Sequence, residues 1–500
     1  MRGSFGTMKP AGTHSWLPRG GLGFVVLVLD TPVFLPFSFS RLSPLGTQRG
    51  FSEQNNEIPS EGEGSNLRML SGKQQISEDF TEKGSFQPGC GGDLGVCWLK
   101  GRKGTFQNTM KQLPVLEPGD KPRRATWYTL THPGDSPCAR VGHSCSYLPP
   151  VGDAKRGKVF IVGGADPNRS FSDVHTMDLE THQWDLATSE GLLPRYEHAS
   201  FIPSCTPHSI WVFGGANQSG NRNCLQVLNP GAFILFGPET RIWTTPEVTT
   251  PPPSPRTFHT SSAAIGNQLY VFGGGERGTQ PVQDVKLHVF DATLSSDINE
   301  FTFLDTLTWS QPETLGKPPS PRHGHVMVAA GTKLFIHGGL AGDRFYDDLH
   351  CIDISDMKWQ KLNPTGAAPT GCAAHSAVAV GKHLYVFGGM TPTGALDTMY
   401  QYHTEKQHWT LLKFDTSLPR GRLDHCMCVI PWPVKCTSEE DPDPVTLNCD
   451  AEKGNSTDKG VTQDGDSHEE SQTDSLLCFV FGGMNTEGEI YDDCIVTVVD

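Results

Sequence analysis

Six times in this chain of 500 residues an apolar, aromatic-rich run ends in the doublet Gly-Gly. The doublets are Gly163-Gly164, Gly214-Gly215, Gly273-Gly274, Gly338-Gly339, Gly388-Gly389 and Gly482-Gly483. Runs such as Leu269-Tyr270-Val271-Phe272 and Leu384-Tyr385-Val386-Phe387 are short and have no helical period, so they read as buried strands. Glycines end them because the chain must turn sharply where a side chain would clash. The first glycines are spaced by 51, 59, 65, 50 and 94 residues. A unit repeated at such intervals cannot bury its apolar face alone, so the copies must pack on one another.

The rest of the unit repeats too. A second strand follows each doublet, as in Asp173 to Asp178 or Asp348 to Asp353. A tryptophan strand comes next, carrying Trp184, Trp243, Trp309, Trp359 or Trp409. A Pro/Gly turn then leads into an Arg-x-x-His strand: Arg140/His143, Arg195/His198, Arg256/His259, Arg322/His325 and Arg422/His425. The fifth unit keeps His375, but Cys372 replaces its arginine. Four strands per unit and six units predict an all-β, six-bladed propeller. Closure can be read as well. After the sixth doublet the chain holds one more strand, Ile490 to Val499, and no tryptophan. The missing strand stands ahead of Arg140, in Thr126-Trp127-Tyr128-Thr129-Leu130, so the N-terminal strand should complete the last blade and remove an open edge.

Composition agrees, with Gly 55 and Pro 38 against only 19% charged residues. The net charge of −15 argues against nucleic acid, which needs a basic footprint, and against an anionic membrane surface as primary partner. Most of it is local: from Cys436 to Ser475 twelve acids face two lysines, a net of −10. Residues 436–475 read as an acidic, disordered loop, with Ser467, Ser471 and Thr473 open to phosphorylation. Further inserts fall near 231–238 and 294–305. Strand alternation puts all three at one end of the propeller and leaves the other uninterrupted, where a partner would bind. Residues 1–109 read as a disordered extension, and 110–500 as the propeller. The apolar run Leu22 to Leu29 is too short to span a bilayer, and five basic residues against Asp30 up to Arg49 faintly mimic a transit signal. Fourteen cysteines without a CxxC pair suit a reducing, cytoplasmic setting. Cys426 and Cys428, two apart, should share one face of a strand.

The Gly-Gly, Arg-x-x-His and Trp pattern from Met110 to Asp500 resembles the kelch-repeat family. Met110-Lys111-Gln112-Leu113-Pro114, Arg344-Phe345-Tyr346-Asp347-Asp348 and the end from Gly482 to Asp500 are similar to its Rab-effector members. That resemblance implies a monomeric, non-catalytic adaptor that binds the GTP-bound form of a late-endosomal Rab GTPase. It also implies a role in returning mannose 6-phosphate receptors to the trans-Golgi network, with peripheral attachment to endosome and trans-Golgi membranes through partners. Other kelch propellers imply two alternatives, substrate recognition for a ubiquitin ligase and metal-dependent catalysis.

Candidate contact residues stand in the loops after the doublets: Arg169 and Phe171, Asn217 and Arg222, Glu276 and Arg277, Arg344 and Tyr346. Arginine and tyrosine at loop tips are the usual anchors of protein interfaces. Gly273-x-Gly275-x-x-Gly278 matches a dinucleotide fingerprint, but Pro281 and a further strand follow where a helix is needed, so it reads as a turn. The histidines recur once per blade, which symmetry explains through hydrogen bonds within each blade, with no metal. No acid–histidine cluster confined to one blade suggests a catalytic metal, and no cofactor is expected.

Overall fold

The computed structural model describes residues 112–188, 190–229, 243–257, 263–278, 280–293, 307–433 and 475–499. The extension 1–109, the inserts 231–238 and 294–305, and the acidic run up to Asp474 lie outside them. Among the described residues every regular element is a strand, and the strands form six antiparallel blades.

Blade one is Ser144–Leu148, Lys158–Val162, Val174–Asp178 and Trp184–Thr188, in that order from the axis outward. Blade two runs from Ala199–Phe201 to Trp243–Thr244, and blade three from Ala264–Ile265 to Thr308–Ser310. Blade four runs from Val326–Ala330 to Lys358–Leu362. Blade five spans Ser376–Val380 to His408–Leu411, with Thr365–Gly366 added in parallel at its outer edge. Blade six takes Cys426–Trp432, Ser475–Phe481 and Cys494–Val498 from the C-terminal end of the chain. Its outermost strand is Trp127–Thr129, in the register Trp127 to Thr497, Tyr128 to Val496 and Thr129 to Ile495. The ring closes as the repeat count requires.

One feature of the units differs from expectation. Arg-x-x-His is a connection, not a strand; the innermost strand starts at the residue after the histidine, at Ser144, Ala199, Val326, Ser376 and Cys426. The residue before that histidine breaks the extended backbone, with φ of 63° at Gly142, 54° at Glu197, 62° at Gly324, 58° at Ala374 and 52° at Asp424.

The core is divided among the six blade interfaces, and each outermost tryptophan reaches back to the preceding blade. Trp184 meets Phe481, Trp309 meets Phe213, Trp359 meets Phe272 and Trp127 meets Phe387, with ring centroids 4.6 to 5.8 Å apart. In each pair the partner is the residue just before a glycine doublet. Trp409 meets His337 in that slot at 5.4 Å, and Trp243 packs with Val162. Cys426 and Cys428 share a face toward blade one, while Met427 between them points to blade five. Replacing Trp127, which is fully buried, by alanine should cost about 3–5 kcal/mol because a cavity opens at the closing seam. Denaturant unfolding measures it, and a loss below about 1 kcal/mol would mean that the seam does not hold the ring.

Candidate functional site

The face opposite the inserts carries the loops after the doublets and the Arg-x-x-His connections. Its order starts from the glycines. The second glycine of each doublet donates its N–H to a backbone carbonyl of the next blade: Gly164 to Arg195, Gly215 to Arg256, Gly274 to Arg322, Gly339 to Cys372 and Gly389 to Arg422. Gly483 donates to Arg140, so the series returns to its start. The first glycine has no room for a side chain. A Cβ on Gly163 would stand 2.7 Å from the Arg195 carbonyl oxygen, and one on Gly388 would stand 2.6 Å from that of Arg422.

Each arginine then clamps its own blade. Arg140 donates through Nη1 to the Gly163 carbonyl (2.9 Å) and to Asp173 (2.7 Å), and through Nη2 to the other oxygen of Asp173 (3.2 Å). Arg322 treats Gly338 and Asp348 alike, as Arg422 treats Gly482 and Asp493. In blade three Arg256 holds Gly273 at 3.0 Å and Asp284 at 3.4 Å. All four guanidiniums are fully buried, so the carboxylate partner, held by a two-pronged contact in blades one, four and six, is what allows the charge inside. Burial would raise the Asp173 and Asp348 carboxyls, but hydrogen bonds from His175 and His350 and from the clamping arginines win and hold both well below the usual carboxylate range. Where one partner changes, the other is replaced or finds a new contact. Blade two has Cys224 at the aspartate position, and Arg195 turns to the Gln226 side chain at 2.6 Å. Blade five has Cys372 for the arginine and Thr398, whose carbonyl bonds Gly388, for the aspartate.

The histidines act across blades, which corrects the within-blade expectation. His143 Nε2 lies 3.2 Å from the Phe481 carbonyl of blade six, and His198 Nε2 lies 2.9 Å from Ser144 Oγ of blade one. His259 falls outside the described residues.

The clamps fix a rim of loops. The residue after each arginine position pairs with the residue after each doublet: Val141 with Ala165, Tyr196 with Ala216, Thr257 with Gly275, His323 with Leu340, Ala373 with Met390 and Leu423 with Met484. Beyond these bridges the loops fold back as small hairpins, such as Leu340–Ala341 on Arg344–Phe345. Gly275–Arg277 pairs with Gln280–Pro281, so the fingerprint-like glycines do form a turn between strands. Adjacent hairpins touch. Ser170 donates to Gln218, and Asn221 donates to the Gly275 and Glu276 carbonyls at 3.1 and 2.9 Å.

The predicted contact residues divide. Arg169, Glu276 and Arg344 are exposed, while Asn217 and Arg222 are half-buried. Arg277 belongs to a described strand, but its side chain lies outside what the structure describes. Phe171 and Tyr346 do not stand at loop tips: they are 3% and 7% exposed. Each is sandwiched between guanidiniums, Phe171 between buried Arg140 (4.2 Å) and exposed Arg169 (4.9 Å), Tyr346 between Arg322 (4.1 Å) and Arg344 (4.8 Å). Tyr491 does the same between Arg420 and Arg422, a third stack that the loop-tip reading missed. Such cation–π contacts hold the exposed arginines in place. The signal was present in the sequence as an aromatic seven or eight residues past the second glycine of three doublets.

The channel mouth carries a second series of interblade bonds, which links five blades among the described residues. Glu197 donates its N–H to the Gly142 carbonyl, Gly142 to Asp424, Asp424 to Ala374 and Ala374 to Gly324. Glu197 and Asp424, both half-buried, line one cavity with His143, His198, His325, His375 and His425. Burial raises both carboxyls, Asp424 to about 7, and the Asp424 charge pushes Glu197 up further. One group among the described residues could hold a metal, His337 with Cys372 and His375. It spans two blades, so a search for clusters within one blade passes over it.

Two expectations follow. Arg322→Cys alone should cost about 3–5 kcal/mol, since it leaves the Asp348 charge without its main partner. Arg322→Cys with Asp348→Thr, which copies blade five, should recover most of that loss in denaturant unfolding; a double variant as weak as the single one would count against the clamp. For Asp424→Asn, the sign comes from a carboxyl raised in the folded state. Wild type should lose stability relative to the variant as pH rises from about 4, the unfolded value, to about 7, and should level off above. Parallel stability–pH curves would exclude a raised carboxyl.

Comparison with known proteins extends the geometry. The family model described as the KLHDC2/KLHL20/DRC7 Kelch-repeats domain matches residues 150–296 and 232–434. A Homo sapiens protein named "Rab9 effector protein with kelch motifs" is 83% identical over 392 residues, which are 78% of this chain and 100% of the relative. The Mus musculus and Bos taurus proteins of that name are 75% and 84% identical, covering 80% and 78% of this chain and all of each relative. With six blades joined by the same glycine-to-carbonyl bond and these matches, the chain belongs to the kelch-repeat family.

Proposed function

We propose that this chain is a non-catalytic adaptor whose hairpin rim grips a Rab GTPase in its GTP-bound form. The observation that carries the reading is the 75–84% identity, over their whole length, to relatives named as Rab9 effectors. The rim supports it physically. Its loops are already bridged, so little freedom is lost on docking. Its exposed arginines are steadied by aromatic stacks, the kind of side chain that dominates binding energy. On this reading the Rab is late-endosomal, and the adaptor serves endosome-to-trans-Golgi return of mannose 6-phosphate receptors. It works as a monomer in the cytoplasm and reaches membranes through its partner. Among the described residues no helix is long and apolar enough to cross a membrane.

The test is a binding titration with Rab9 loaded with GTP analogue or GDP. Tighter binding of the GTP form is expected, and equal binding of both would sink the reading. Arg169→Glu and Arg344→Glu should each weaken that binding at least about tenfold, or 1.4 kcal/mol, with Tm unchanged. Lys155→Ala, at an exposed position on the insert-bearing face, should leave it as in wild type. Loss at Lys155 with no loss at the arginines would assign the partner to the other face.

A further inference from the structure

Two departures from the repeat meet at one point. The residue before the first glycine is Val162, Phe213, Phe272, Phe387 or Phe481 in five blades and His337 in blade four. The clamping position is arginine in five blades and Cys372 in blade five. Beside them stands the repeat histidine of blade five, His375. All three are buried, and their ligand atoms lie within 4.8 Å of one another. His337 Nδ1 and His375 Nε2 are 3.2 Å apart.

We propose that His337, Cys372 and His375 form a zinc site that staples blade four to blade five. Zinc holds imidazole nitrogen at about 2.0–2.1 Å and thiolate at about 2.3 Å. Two nitrogens on a tetrahedral zinc therefore stand about 3.3 Å apart, close to the separation of the two rings. One thiolate with two imidazoles favours a borderline-soft ion such as zinc over magnesium or calcium.

The two rings favour uptake, and the buried thiol opposes it until the metal displaces its proton. Burial lowers the His337 ring to about 4 and His375 well below its ordinary value, so both are neutral and can offer a lone pair. Burial pushes the Cys372 thiol up to about 12, so binding releases the thiol proton to solvent as the thiolate takes the metal. The proton now between the rings moves to an outer nitrogen, His337 Nε2 or His375 Nδ1, neither of which has a hydrogen-bond partner. Phenylalanine, used in four other blades, would avoid burying the Nε2 of His337 unbonded. A metal on Nδ1 would give the ring a reason to be there and would compensate for the arginine–aspartate clamp that blade five lacks. His375 lines the central cavity, which gives an entry path.

Zinc is titrated into the full chain after stripping with chelator, and bound metal is measured by mass spectrometry after desalting. Cobalt serves as the spectroscopic probe of thiolate ligation. Wild type should retain one more zinc equivalent than His337→Phe or Cys372→Ser, and should show a thiolate–cobalt charge-transfer band that both variants lack. Chelation should lower the Tm of wild type and leave the variants unmoved. His337→Phe restores the residue that four blades carry and keeps a ring against Trp409, so it decides the matter even if Cys372→Ser folds poorly. Equal zinc content in wild type and His337→Phe, adventitious binding at other thiols included, would overturn the proposal.

Discussion

The structure depends on one hydrogen bond repeated around a circle, from the second glycine of each doublet to the backbone carbonyl at the next blade's arginine position. It is made at a close approach of two blades, where a Cβ on the neighbouring glycine would collide with that same carbonyl. Glycine is required there for space and for its positive φ together. Because the donor lies in one blade and the acceptor in the next, no blade satisfies its own backbone. The bond from Gly483 to Arg140 therefore matters as much as the strand pairing of Trp127 with Thr497. Both join the two ends of the chain, and both fail together if the ring opens.

The arginine whose carbonyl receives that bond sends its guanidinium back to the first glycine's carbonyl and to an aspartate of its own blade. A buried ion pair adds little net stability over an apolar pair of the same shape, yet losing one partner is costly. The sequence obeys that asymmetry within itself. Blade five changes Arg and Asp together, to Cys372 and Thr398, and blade two keeps Arg195 but supplies Gln226 when Cys224 stands in the aspartate position. Neither blade leaves a buried charge facing nothing. The backbone bond survives in both, since it asks nothing of the side chain.

Local rules carried the sequence reading a long way. Doublets, tryptophans and the stranded N-terminal indole each announce a strand or a turn within a few residues, and the closure of blade six by the N-terminal strand follows from counting. What was not legible involves residues far apart in the chain. Phe171 and Tyr346 look like loop-tip anchors until Arg140 and Arg322 are known to lie beneath them. The histidines read as servants of their own blades because the carbonyl that His143 meets belongs to Phe481, at the other end of the chain. His337 and Cys372 look like unrelated lapses in two repeats, and only the blade interface brings them together.

The two faces of the propeller divide labour for a reason found in the same bonds. On the face of the inserts, connections run between strands of one sheet, and the interblade bonds there, such as Ser204 N–H to the Gly266 carbonyl and Cys205 N–H to Asn267 Oδ1, do not recur from blade to blade among the described residues. Additions of eight residues or more are tolerated there because lengthening a loop costs only slowly growing entropy. On the opposite face every loop carries a glycine that must reach the next blade and a residue that must bridge to its own arginine connection. Extra residues at those anchor points would break the ring, so length can vary only in the hairpins beyond them, as in blade three, whose loop from Gly274 to Leu287 is longer than its counterparts. Arg169, Glu276 and Arg344 belong to these hairpins. A surface whose backbone is fixed by the fold, and whose exposed side chains are free to vary, is the surface on which a partner can be specified without endangering closure.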